Sequence, residues 1–208
     1  MKIIIVLLIF ALALTACGGA GKHVNYSNAA LQTHYQALEE ISYDAEVIVE
    51  AELTGKSKDI AYQNASFKVT EFLVNKVLKG DQQLVSNTIQ VLEIGSFSRN
   101  ESKNNLLFLE KYVGPVTSSA YVVAGVYQGK FTIDKDNKLI YDAEKHGGMK
   151  SFQTELAGLD MKSVEAKVQQ AITNARPPKK LQMSEEQRKK NEEESIKLLE
   201  QDRSLNKQ

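Results

Sequence analysis

A single cysteine, Cys17, stands just past an unbroken apolar run over residues 3–14, separated from it by Thr15 and Ala16, and ahead of Gly18 and Gly19. One thiol forbids an intrachain disulfide and a thiolate zinc cluster, since each needs at least two. Whatever this chain folds into must therefore hold together by burial and hydrogen bonding. Its 208 residues leave room for one ordinary domain with appendages. The 12 apolar residues of the run follow Lys2, which is the order of a signal-peptide core; a helix that crosses a bilayer takes about 20.

The stretch Leu14-Thr15-Ala16-Cys17 resembles the lipobox of bacterial lipoproteins, a leucine and two small residues before the cysteine. The resemblance implies that residues 1–16 are a signal peptide, removed by cleavage between Ala16 and Cys17. The Cys17 thiol then carries diacylglycerol as a thioether, and its freed amino group is open to N-acylation. Two acyl chains give lasting attachment where one alone is marginal. Residues 17–27, with Gly18, Gly19 and Gly21, follow as a lipidated flexible tether. No later stretch is apolar enough for long enough to span a bilayer. The expectation is a domain held on the extracytoplasmic face of the cell membrane, with the membrane as a partner through the anchor.

Residues 28–175 read as that domain. Leu31, Tyr35, Leu38 and Ile41 recur at helical spacing, which predicts a helix over 28–40 capped by Ser27 or Asn28. Ala45, Val47, Val49, Ala51 and Leu53 then alternate with Glu46, Ile48, Glu50 and Glu52, a strand over 45–53, and the polar residues 55–59 predict a turn. A second strand over 60–74 changes phase. Phe67 and Val69 share one parity and Phe72 and Val74 the other, as a β-bulge near Thr70 and Glu71 would produce. Further strands are predicted over 88–94, 105–112 and 120–127. A hairpin over 130–141 follows, whose Asp136-Asn137 suits a type I′ turn. Five or six antiparallel strands with turns between them point to a barrel or sandwich.

The strand Asp44-Ala45-Glu46-Val47-Ile48-Val49 comes first, then a bulged strand running into Val77-Leu78-Lys79-Gly80. With the later strands Leu106-Leu107-Phe108-Leu109 and Gly129-Lys130-Phe131-Thr132-Ile133, this order resembles netrin-like OB-fold domains, the class that contains the tissue inhibitors of metalloproteinases. The resemblance implies a mainly β fold: an antiparallel five- or six-stranded OB-like barrel, here flanked by an N-terminal helix and C-terminal helices. It does not bring protease inhibition with it, because the disulfide cysteines and the free N-terminal cysteine of the inhibitors are missing.

Behind the candidate N-cap Asp160, residues Met161, Val164, Val168, Ala171 and Ile172 form one face of a helix that Pro177-Pro178 ends. Residues 176–208 make a charged helical tail with nine basic and seven acidic side chains. It contains the capping box Ser184-Glu185-Glu186-Gln187 and has little apolar surface to bury.

The chain balances 26 Lys and Arg against 26 Asp and Glu, which lacks the positive field of a nucleic-acid binder. His23, His146 and His34 on the first predicted helix offer no metal-binding spacing, and neither a metal nor another cofactor is expected. Gly95-Ser96-Phe97-Ser98 is a loop rather than a nucleophile elbow. The neighbouring pairs Glu39-Glu40 and Glu185-Glu186 diverge on a helix, and Gly147-Gly148 lacks the lysine of a phosphate loop. Tyr121, Tyr127, Phe131 and Tyr141 read as packed aromatics, not as a platform for bases. With no catalytic constellation, the sequence predicts a non-enzymatic binding or interaction module of the cell envelope, directed at an envelope protein or polymer. The competing readings are an envelope enzyme or enzyme inhibitor, and an assembly protein acting through its C-terminal helix.

Overall fold

The computed structural model describes residues 33–63, 65–95, 98, 102–141, 151–179 and 189. The signal segment, Cys17, the tether, His23, His146 with Gly147-Gly148, and the capping box at Ser184 with Glu185-Glu186 lie outside the described residues.

A short helix, α1 (Leu38–Asp44), leads into a long hairpin of β1 (Val47–Tyr62) and β2 (Ala65–Lys79). Then come β3 (Thr88–Ile94), β4 (Asn104–Lys111), β5 (Tyr121–Val123), β6 (Lys130–Ile133) and β7 (Leu139–Ile140). Two helices close the described chain, α2 (Phe152–Leu156) and α3 (Met161–Thr173). The protein is mainly β. Five strands pair in the order β1-β2-β3-β5-β4, and β4 pairs back with β1, so the sheet closes on itself as a ring. All ring pairings are antiparallel except β3 with β5, which is parallel. Along its other edge β4 meets β5 at residues 109–111 and β6 at residues 104–107, and β7 extends the sheet beyond β6.

Period-2 alternation divides the apolar residues between two cores. Val49, Phe72, Val91, Leu107 and Leu109 fill the ring. Ile48, Leu106, Phe108 and Phe131 point outward and are covered by Leu38 and Ile41 of α1, Phe152 of α2, and Val164 and Val168 of α3. Helix α3 starts where expected, at an N-cap Asp160 whose carboxylate accepts the Ser163 N–H at 3.0 Å.

The phase change in β2 has a different origin from the one expected. Its pairing with β3 is continuous from Phe67 to Leu73. Phe67 and Val69 instead belong to a third cluster on the outer face with Leu92, while Phe72 and Val74 face into the ring. Both faces of the strand are apolar, over different stretches. The bulge lies on β1, where residues 54–56 stand against the single residue Glu71. Residues 55–59, expected as a turn, are consequently strand. Extra residues in β2 at Asn75 and Leu78 bring both Val74 and Val77 into the ring.

The helix predicted over 28–40 falls partly outside the described residues; within them, 33–37 is not helical and α1 begins only at Leu38. Ala37 is extended (φ −141°), the Tyr35 N–H is taken by the Gln128 side chain, and Glu40 reaches back to accept the Gln36 N–H at 2.7 Å. His34 therefore precedes the helix. The strand predicted over 120–127 stops at Val123 because Gly125 and Val126 both turn with positive φ. In the last hairpin only Asn137 has positive φ, and the Asp134 carboxylate holds the Asp136 and Lys138 N–H groups. The Asn137 N–H also closes the turn on the Asp134 carbonyl at 3.1 Å, and with positive φ at Asn137 alone the turn is not type I′. The expected five or six antiparallel strands are seven among the described residues, with one parallel pair.

Candidate functional site

The helices cover the outer face of the ring over β1, β4 and β6, and they stop short of β3 and β5. At that border lies a cleft of about 510 Å³. Its floor is Phe67 of β2, Leu92 and Ile94 of β3, Val122 of β5 and Tyr112 just past β4. One wall is the segment Thr33 to Tyr35 together with the turn at Gly125 and Val126; Asp44 and Glu110 supply carboxylates. The alternation of β4 places these groups. Leu106 and Phe108 point outward beneath the helices, and the next outward positions, Glu110 and Tyr112, emerge into the cleft.

The wall is braced by one amide. Gln128, 1% exposed, accepts the Tyr35 N–H through Oε1 at 3.0 Å and donates through Nε2 to the Thr33 carbonyl at 2.9 Å and the Gly125 carbonyl at 3.2 Å. The turn it holds is strained. Val126 has φ +66°, a conformation that a β-branched residue rarely adopts. The Tyr127 N–H closes back on the Gly125 carbonyl at 2.7 Å, a tight γ-turn about Val126. Strain of this kind costs about 1–3 kcal/mol and persists where the surroundings over-determine it, often at ligand sites.

The acidic side of the cleft is undercompensated. The Tyr35 hydroxyl donates to Asp44 Oδ2 at 2.8 Å; burial, that bond and the charge of Glu110 push the hydroxyl far above its ordinary range. Burial, then the charges of Asp44 and Glu46, raise the Glu110 carboxyl. Glu46 Oε1 accepts the Lys111 N–H at 3.1 Å. Lys79 is a nearby cation, but its ammonium is turned onto the carbonyls of Ser42 and Ala45, at 2.7 and 2.6 Å, at the C-terminal end of α1. Burial lowers its pKa. Among the described residues no donor or cation pairs with Glu110.

Two other charged groups are structural. Inside the ring Lys130 Nζ lies 2.9 and 3.0 Å from the two oxygens of Glu93 and 5.7 Å from the centroid of the Phe72 ring. On the outside, Lys76 bonds Glu165 of α3, which in turn shares a hydrogen bond with Glu50 of β1. Glu50 Oε1 is buried without a partner. Burial first, then Glu165, lift the Glu50 carboxyl to about 7. Burial acts upward on Glu165 as well, but its bonds to Lys76 and Glu50 outweigh this and lower it.

A carboxyl raised in the folded state binds its proton more tightly there than in the unfolded chain. Stability is therefore lost as pH rises from the unfolded value of 4.5 through about 7. Because Glu50 is half exposed, the loss is about 1–2 kcal/mol after allowance for solvent screening. Urea denaturation is expected to show the protein more stable at about pH 5 than at about pH 8, and Glu50→Gln should flatten that difference.

Of the residues singled out in the sequence, Glu40 is spent on closing the start of α1, and His34 lies in the segment leading to it. Phe131 packs edge-on against Phe108 and Phe152, and Tyr141 tilts against Phe131, so these rings belong to the core. Sequence reasoning missed Gln128, Glu110 and the Glu93–Lys130 pair. Glu93 had left a trace, as a charge in phase with Ile89 and Val91 on the buried face of β3. No protein-family model matches the chain, and no curated protein matches it in sequence.

Proposed function

We propose that the protein is a lipid-anchored, extracytoplasmic binding module of the bacterial cell envelope, non-catalytic and built on an OB-like barrel. The lipobox-like stretch before Cys17 supports the anchor. The closed five-strand ring supports the barrel, since OB-type domains are five-stranded barrels that bind ligands on strand faces and adjoining loops. The observation that carries the binding role is the cleft beside Glu110. It is an apolar recess of ligand size, and the helical cover leaves it open while the core beneath it is complete. Its partner is a component of the envelope, met by a domain tethered at the membrane.

Two measurements test this. In cells fed labelled palmitate the protein is expected to take up label and Cys17→Ala to lose it; label retained by the variant overturns the anchor. The binding role fails if the purified acylated protein turns over a substrate at a rate that one substitution in the cleft abolishes.

A further inference from the structure

We infer that the cleft binds an apolar organic cation, its ammonium against Glu110 beside Asp44 and its hydrocarbon body along Phe67, Leu92, Val122 and Tyr112. The inference rests on the binding-module reading above and adds the chemistry of the ligand. Volume sets the scale, because about 510 Å³ lies within the roughly 300–1,000 Å³ of small-molecule sites, where an apolar lining with a few placed polar groups is the rule.

Charge sets the sign. Asp44 has the Tyr35 hydroxyl and Glu46 has a backbone N–H, and the Lys79 ammonium is occupied by carbonyls. Glu110 alone is left half-buried with two acidic neighbours and no partner among the described residues, in a recess whose other contacts are mostly carbon. An anion entering there meets repulsion, and a neutral ligand leaves the carboxylate uncompensated. A cation removes the cost of holding Glu110 ionised, so it is the ligand charge that this electrostatic pattern selects. The ring of Tyr112 adds an aromatic surface for its body. The strained turn at Val126 and the Gln128 brace shape the wall before any ligand arrives, which reduces the ordering that binding must impose.

The test is calorimetry on the full acylated protein in phosphatidylcholine nanodiscs, with empty discs as the blank. The probes are 4-phenylbutylammonium, 4-phenylbutanol and 4-phenylbutyrate, which share one body and differ in charge. The ammonium is expected to bind at least about tenfold tighter than the alcohol, a gap of about 1.4 kcal/mol, and the carboxylate more weakly than either. Glu110→Gln should remove the advantage of the ammonium while leaving the alcohol unchanged, and its thermal midpoint reports whether the fold survives. Tyr112→Ala should weaken ammonium and alcohol alike. Burial holds the Glu110 carboxyl above its ordinary range, so ammonium affinity should fall as the solution is acidified and Glu110 takes up its proton; Asp44, Glu46, Tyr35 and Lys79 are the titratable groups around it, and Glu93 and Tyr112 line the same cleft. Equal binding of alcohol and ammonium, or an ammonium preference that survives Glu110→Gln, overturns the cationic ligand and leaves the binding module standing. Binding by none of the three overturns the cleft as the site, while the palmitate and turnover measurements still judge the module separately.

Discussion

Lys130→Ala is expected to destabilise the protein by about 3–5 kcal/mol, because it strands a buried carboxylate. Glu93 is 3% exposed at its side chain and Lys130 10%. Both point into the ring beside Phe72 and Leu107, and the Ser98 hydroxyl also donates to Glu93 Oε2 at 3.3 Å. Removing the lysine leaves the buried Glu93 carboxyl with the weak Ser98 hydroxyl bond but without its cation, which is unfavourable. The pair itself need not add net stability, since two desolvated charges recover in attraction about what they lost in hydration. The double replacement Lys130→Met with Glu93→Leu should therefore lie within about 1 kcal/mol of the native protein, or exceed it. Urea denaturation of Lys130→Met, Glu93→Leu and the double completes the cycle. Single variants that each lose less than about 1 kcal/mol would mean that water reaches the pair.

Gln128→Ala should cost about 2–4 kcal/mol, since an unmet buried donor or acceptor carries a penalty of about 1–3 kcal/mol. Two groups lose their partner at once, the Tyr35 N–H and the Thr33 carbonyl, while the Gly125 carbonyl gives up one bond and keeps the Tyr127 N–H. The bridge spans 93 residues of sequence, and no backbone ladder replaces it. The Tyr35 amide is therefore expected to be protected from hydrogen exchange in the native protein and to exchange rapidly in the variant. Gly125→Ala should reproduce much of the loss from the other side. Its backbone sits at φ +63°, and a methyl there would strike the Gln128 amide and lie 3.0 Å from the Tyr35 ring. If Gln128→Ala leaves both stability and Tyr35 exchange unaltered, the brace does not hold the wall of the cleft.

Elements with one apolar and one polar face were legible in the sequence, because their periodicity is local. Strand β3 matches its prediction at both ends, and α3 starts at the expected cap. The prediction failed where tertiary contacts override periodicity. Residues 33–37 have a helical pattern, yet Tyr35 gives its N–H to Gln128 and its hydroxyl to Asp44 instead of joining a helix. Strand β2 is apolar on one face and then on the other, so its alternation imitates a bulge that actually sits across from it in β1. The candidate site was not legible at all. Glu110 is one acidic residue among 26, and only the β4–β5 register sets it beside Val122 at the rim of an uncovered face.

The amino-acid sequence already requires that this chain fold without an internal disulfide and shows where its regular elements alternate. These are matters of residue chemistry and of spacing between near neighbours. Long-range packing sets the rest: β4 returns to β1 to close a ring, β5 lies parallel to β3, and an amide, an ion pair and a carboxylate meet their surroundings across long stretches of chain. Those outcomes depend on register and on which faces are covered, and a one-residue shift in register would exchange every inward side chain for an outward one.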